Sequence, residues 1–255
     1  MALSRDDLEA YLKNFLKTED FQDYGPNGLQ VEGKTSISKL AFAVSATRDS
    51  ILAAVQKKAD ALIVHHGLFW SFHGARPLVG PFYERTAPLI QQGVNLFAYH
   101  LPLDAHPEIG NAKSLADSLG LGQTRPFGDH KGMPTGVWGT FEAGQGIEEL
   151  ARTIERVCRH SVIVSNPEGR KTVGTMGIIT GGANGDWVYA QRLNLESYLT
   201  GEISEHDWHE AREAGVTMYA AGHHATERFG IQALMDHLRD KFSLECFFID
   251  SPNPA

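Results

Sequence analysis

The chain is poor in cysteine, in long apolar runs and in clustered positive charge, and each shortage removes a class of function. Its 2 cysteines, Cys158 and Cys246, stand far apart and form no CxxC. That argues against a disulfide-built fold or a thiolate metal site and leads us to expect a reduced, cytoplasmic setting. No apolar run approaches the ~18 residues that a membrane-spanning helix needs. The opening residues, MALSRDDLEAYLKNF, carry acids where a secretion signal has an apolar core. Basic residues number 23 against 31 acidic ones, for a net charge of -8, and no Lys/Arg block stands out. The expected partner is therefore a small molecule or a protein, not a nucleic-acid backbone or a membrane. A phosphate-binding motif is missing too. GGANG at 181–185 lacks the GxGxxG spacing and the P-loop lysine, so a turn permitting close packing is favoured over a phosphate cradle.

What the chain does have is histidine at the ends of apolar runs. ALIVHHG at 61–67 is a short buried-strand pattern that empties into His65 and His66. Neighbouring side chains on an extended backbone point to opposite sides, so two adjacent histidines can serve two partners, such as a pair of ions. LFAYHLPLDAH at 96–106 and MYAAGHHATE at 218–227 repeat the design with carboxylates added.

The 255 residues suit one large domain or two smaller ones. Ser4 is a candidate N-cap, with Leu8, Leu12, Phe15 and Leu16 following at helical spacing. DYGPNGLQVEG at 23–33 reads as a turn-rich loop entering a strand. The run 40–47, a helix over 49–58 and the strand 61–66 form a βαβ unit with parallel strands. A helix over 81–92, a strand over 94–99 and a helix over 111–119 follow. Further on, strands are expected over 136–141, 161–165 and 172–180, with a helix over 146–159. QQGVNLFAYHLPLD and EAGVTMYAAGHHATE each run Gly-Val, apolar strand, histidine, carboxylate. This weak repeat suggests an α/β fold of two similar lobes, roughly 1–125 and 126–255, with a site at the carboxyl ends of the strands.

Of the 12 histidines, His65, His66, His73, His100, His106, His206, His209, His223 and His224 lie in, just after or just before these exits. Imidazole and carboxylate together suit divalent zinc, iron, manganese, nickel or magnesium. Two ions held close together need a bridging carboxylate, because imidazole offers a single lone pair. Glu227 is the bridge candidate, since a helix starting after Gly222 sets it on one face with His223. His65 and His66 then divide between the ions and Asp104 completes one of them. His100, His106 and His224 are left to orient ligands or move protons. Glu202, His206 and His209 either touch the site or form a solvated helix face, and His73 reads as an exposed loop residue.

DYGPNGLQVEG, ADALIVHHGLFW, HLPLDAHPEIGN, TGEISEHDWHEAREAG, AGHHATERFG and the closing FFIDSPNPA resemble, in this order, the Nif-three-like family. Its bacterial members are often named GTP cyclohydrolase 1 type 2 homologs or dinuclear metal centre hexameric proteins. The resemblance spans the chain from its first helix to its end. It implies a two-lobed α/β subunit of the short form, with no inserted domain, assembled as a toroidal homohexamer that is a trimer of dimers. It also implies two divalent ions per subunit, with the family's ligands falling on His65, His66, Asp104, His223 and Glu227. TGE at 200–202 stands where relatives commonly have TGD. Two functions follow from such a site. One is a hydrolase using activated water, with His100 or His224 as proton carrier. The other is a non-catalytic metal store, chaperone or regulatory scaffold.

Overall fold

Ser4 caps the first helix as its spacing requires, its Oγ accepting from Asp7 N at 3.0 Å in the computed structural model, which describes residues 2–255. The chain begins with β1 (Leu3–Ser4), α1 (Arg5–Leu16), β2 (Gly28–Val31), β3 (Ser36–Ile37), β4 (Lys39–Ser45) and α2 (Arg48–Gln56). It continues through β5 (Ala61–His66), α3 (Gly80–Gln92), β6 (Asn95–Ala98), α4 (Leu101–Asp104) and α5 (Asn111–Ser118). Then come β7 (Gly122–Phe127), β8 (Gly136–Gly146), α6 (Ile147–Cys158), β9 (Ile163–Ser165), β10 (Thr172–Ile178) and α7 (Trp187–Arg192). The last stretch holds β11 (Ser197–Thr200), α8 (Glu205–Glu213), β12 (Thr217–Ala220), α9 (His223–Thr226), α10 (Arg228–Phe242) and β13 (Glu245–Phe248). The α/β reading of the sequence holds throughout.

These elements divide into two compact units. The first runs to Leu103 and resumes over Ile231–Pro252, and the second comprises Asp104–Gly230 with Asn253–Ala255. In the first, a sheet of order β13-β4-β5-β6-β2 has β4, β5, β6 and β13 parallel and β2 antiparallel. Alternate residues of its strands, Ala41, Ala43, Leu62, Val64 and Leu96, pack with Ile51 and Ala54 of α2 and Phe82 and Leu89 of α3. Their neighbours Leu40, Phe42, Ile63 and Phe97 are equally buried. A sheet buried on both faces explains why these strands read as unbroken apolar runs. The α2 helix is fixed by a capping box between Thr47 and Ser50, and α3 stops at Gly93, whose φ of 62° suits glycine.

The second unit carries a sheet of order β7-β8-β10-β11-β12-β9. Its middle strands β10, β11 and β12 are parallel, flanked by antiparallel β8 and β9. One face, with Met176, Leu199 and Tyr219, packs against Leu115 of α5 and Leu150 and Ile154 of α6. The other, with Tyr198 and Met218, packs against Trp187 and Ala190 of α7 and Ala211 of α8. Strand β7 has no counterpart in the sequence reading, because its GQTRPF is mostly exposed and gives no apolar alternation. Strand β8 also runs five residues further than expected, to Gly146.

Cys158 and Cys246 are free. Burial pushes the Cys158 thiol up to about 12 and the Cys246 thiol up to about 11, the mark of inert packing residues. Among the described residues, no helix is long and apolar enough to cross a membrane.

Candidate metal centre

In the first unit the parallel strands deliver three imidazoles to one place. Register pairs Val64 with Ala98 and Ser45 with His66, so the exits of β4, β5 and β6 lie side by side. His65, His66 and His100 each offer a ring nitrogen, and these atoms all lie within 4.8 Å of one another. The rings of His65 and His66 are 4.6 Å apart between centroids.

Each ring is aimed through its Nδ1. For the fully buried His65, Nδ1 lies 3.0 Å from the Tyr99 carbonyl. A carbonyl only accepts, so Nδ1 carries the hydrogen and the neutral ring keeps its lone pair on Nε2. His66 Nδ1 lies 3.0 Å from Ser45 Oγ. His100 Nδ1 lies 2.7 Å from Asp23 Oδ1, whose carboxylate also accepts from Tyr24 N, Asn27 Nδ2 and Leu101 N. Burial pushes the Asp23 carboxyl up, but the His100 contact, with help from Asn27 and Tyr24, outweighs it and holds the group below the usual carboxylate range. The sequence gives Asp23 no site role, because 23–33 reads as a turn-rich loop entering a strand, which is β2; the aspartate opening DYGPNG is its one signal.

In the second unit the donors are acidic. Gly222, with φ 88°, leads into α9, and His223 and Glu227 lie on one side of it as their spacing predicts. His223 Nε2 is 3.2 Å from Glu227 Oε2, and its Nδ1 is 2.6 Å from Glu202 Oε1. Burial alone would lower the His223 pKa, but Glu227 and then Glu202 raise it to about 9. A neutral imidazole has one N–H, so a ring with a carboxylate at each nitrogen must hold a second proton or exchange it for another cation. Gly181 supplies the room: its φ is 70°, and a Cβ there would overlap Glu227 Oε1. At Gly181 the glycine cluster therefore permits close packing, as expected. Asp104 accepts from Asn111 Nδ2 at 2.8 Å and from Thr180 Oγ1 at 3.5 Å, and Asn111 Oδ1 in turn accepts from Gly230 N at 2.7 Å. Asn111 went unnoticed in the sequence, where it read as an ordinary helix residue.

The other histidines sort themselves by contact. His106 Nδ1 accepts from the backbone N–H groups of Glu108 and Ile109, both at 3.3 Å, and so stabilises its own turn. His224 is buried, with its backbone N–H donating to the Ala255 carbonyl. His206 and His209 are exposed on α8 beside Asp207 and Glu205 of the same helix, which is the solvated-face alternative. His73 is exposed, as expected, and pairs with Arg76 at 3.3 Å. The donor chemistry in both units, imidazole and carboxylate without thiolate, fits divalent cations of the zinc, iron or manganese kind.

A family model described as Duf34/NIF3 (NGG1p interacting factor 3) matches residues 3–254. A curated protein of Neisseria meningitidis serogroup B, named GTP cyclohydrolase 1 type 2 homolog, is 41% identical over 256 residues, covering 100% of both chains. A solved structure titled protein ybgI, of unknown function, superposes with a TM-score of 0.93 at 39% identity, covering 99% of this chain and 100% of that one. A second solved structure, TTHA1606 from Thermus thermophilus, gives a TM-score of 0.90 at 36% identity over 99% of this chain and 100% of its own.

Proposed function

We propose, for a chain that belongs to the Duf34/NIF3 family, that His65, His66, Asp104, His223 and Glu227 hold two divalent cations and that the protein is a metal-dependent hydrolase. The observation that carries this reading is the trio of ring nitrogens from His65, His66 and His100 gathered within 4.8 Å of one another. Divalent ions held by such donors supply Lewis acidity, which makes water a nucleophile near neutral pH. The residues around them orient the ligands. The Tyr99 carbonyl fixes the tautomer of His65, Ser45 aims His66, and Glu202 aims His223. His100 is the proton carrier of choice, with Nε2 taking the proton while buried Asp23 stabilises the ring at Nδ1. His224 stands as the second candidate for that role. Assembly as a toroidal homohexamer, a trimer of dimers, belongs to the same reading and is checked by sedimentation.

The test is a substrate panel on metal-loaded protein whose metal content is measured on the same sample. The name carried by the relatives puts GTP first, followed by pterin precursors and phosphoesters. Glu227→Gln removes the bridging charge and is expected to abolish turnover of any substrate found. Turnover that survives this substitution refutes a catalytic metal site. Bound, transferable metal with no turnover across the panel would instead mark a metal store or scaffold.

A further inference from the structure

The reaction proposed above leaves one built feature of the first unit unused. The loop after β5, LFWSFHGAR at 68–76, and the segment 23–26 line an open cleft of about 410 Å³. That volume suits a small organic molecule, being far larger than an ion needs. Backbone contacts hold the walls: Ser71 N donates to the Tyr24 carbonyl at 2.7 Å, and a Cβ at Gly25 would overlap the Phe69 carbonyl. Trp70 Nε1 donates to the Gly67 carbonyl at 3.2 Å, which pins the indole to the end of β5.

The lining is aromatic with basic charge to spare. Tyr24, Phe69 and Trp70 contribute rings, and Trp70 stands edge-on to His100 at 5.1 Å. Asp23 is the one carboxylate in the lining, and it is already engaged by His100, Asn27 and two backbone N–H groups. Arg76 lies 4.3 Å over the Phe82 ring and donates to His73, so a ring and an imidazole hold its guanidinium rather than an acid. A second chamber of about 10 Å³ is lined by His65, His100, Asn27 and Gln30. It is about the size of one water. It shares Gly25, Pro26, Phe69 and Trp70 with the larger cleft. An occupant of the large cleft is thus one wall away from His65 and His100.

We infer that this cleft is a substrate-recognition site for a planar aromatic or heteroaromatic ring, packed on Trp70, whose anionic group is received by Arg76. Its role in recognising a substrate rests on the hydrolase reading, whereas the binding does not. The test is calorimetric titration of the full chain, metal-loaded and metal-stripped, with 1-naphthoate, its uncharged counterpart 1-naphthalenemethanol and cyclohexanecarboxylate. One naphthoate should bind per chain, and cyclohexanecarboxylate about tenfold more weakly or worse, since it lacks a ring to stack. Arg76→Gln should weaken naphthoate about tenfold and leave naphthalenemethanol unchanged. Trp70→Leu should weaken both, while Trp70→Phe, which keeps a ring in place, should retain naphthoate within roughly threefold. Naphthoate affinity indifferent to both Arg76→Gln and Trp70→Leu overturns the assignment. So does affinity that falls as protein concentration rises, because the aromatic loop would then be covered by a second copy. Glu227→Gln should still bind naphthoate, so a failed hydrolase reading and a failed binding site give different results.

Discussion

The two units share a chain path but end in different chemistry. In the first, a helix (α1) and an antiparallel strand (β2) precede three parallel strands, β4, β5 and β6, and β2 lies beside the third of them. In the second, α6 and β9 precede β10, β11 and β12, and β9 lies antiparallel beside the third. Yet the first unit ends its strands in three imidazoles, and the second in one imidazole held between two carboxylates. A common scaffold fixes where the exits are and leaves their charge free to differ. On the proposed reading the division is useful: imidazole supplies donors without net charge, and the acids supply the negative charge that divalent ions require.

The sharpest way to break this comparison is at a glycine beside each group, one packed on a site carboxylate and one not. At Gly181 a Cβ would overlap Glu227 Oε1 and would have to sit at φ 70°, so both strain and overlap oppose it. Gly181→Ala should cost about 2–4 kcal/mol and displace the carboxylate. In the first unit, the atoms nearest a Cβ at Gly67 would be those at the end of the Gln30 side chain. That amide accepts from Leu68 N and donates to the Pro26 carbonyl, so it yields at the loss of about 1–2 kcal/mol. Thermal melts with metal content measured alongside would decide it. Equal losses at the two sites would mean that Gly181 is not built around Glu227.

A second pair concerns the carboxylates that aim the rings. Asp23 on His100 is 2% exposed at its side chain, whereas Glu202 on His223 is 49% exposed. A buried carboxylate is screened less and cannot be replaced by water, so its contact should matter more. Asp23→Asn is expected to weaken metal affinity or turnover by ~10–100-fold, and Glu202→Gln by less, near the lower end of that range. Competition with a chelator measures both. The reverse order would place the dominant orienting group in the second unit.

Stability against pH separates the units once more. Burial would raise the Asp60 carboxyl, but Lys34 and Ser38 hold it below its ordinary range. Burial acts likewise on Asp207, and Asn184 and Trp187 overcome it there. Both groups therefore stabilise the fold above the unfolded carboxylate pKa, near 3.9, and lose that contribution as pH falls through the lower folded values. Asp60 meets an ammonium and two backbone N–H groups, whereas Asp207 meets an amide and an indole. Asp60→Asn should cost about 1–3 kcal/mol at neutral pH and flatten the acid limb of the stability curve, and Asp207→Asn should cost about 1 kcal/mol. Urea titrations between pH 3 and pH 7 would check both.

Much of this was legible in the sequence because it is local. The cap at Ser4, the stop at Gly93, the parallel β4-α2-β5 unit and the placing of His223 with Glu227 follow from spacing and turn chemistry within a few residues. Asp23, Asn111 and Gly181 were not legible as site residues, since each acts on a partner far along the chain: His100, Gly230 and Glu227. Strand β13 was equally hidden. Its ECFF is short, and only its pairing with β4 distinguishes it from a loop.

The smallest expected effect separates site histidines from surface ones. His209 repeats every feature that made the other histidines attractive in the sequence: a strand exit upstream, acids nearby and a helical partner in His206. Its surroundings say otherwise, since the ring is 55% exposed and its partner Glu205, one turn away on α8, is 87% exposed. A pair of this kind contributes about 0.3–0.5 kcal/mol. His209→Ala should therefore shift stability by no more than that and leave metal content at the wild-type value. Metal lost from this variant, measured by atomic emission on the same preparation as a His65→Ala control, would move α8 from the solvated face into the site. The contrast between the imidazole exit and the acidic exit would then have to be redrawn.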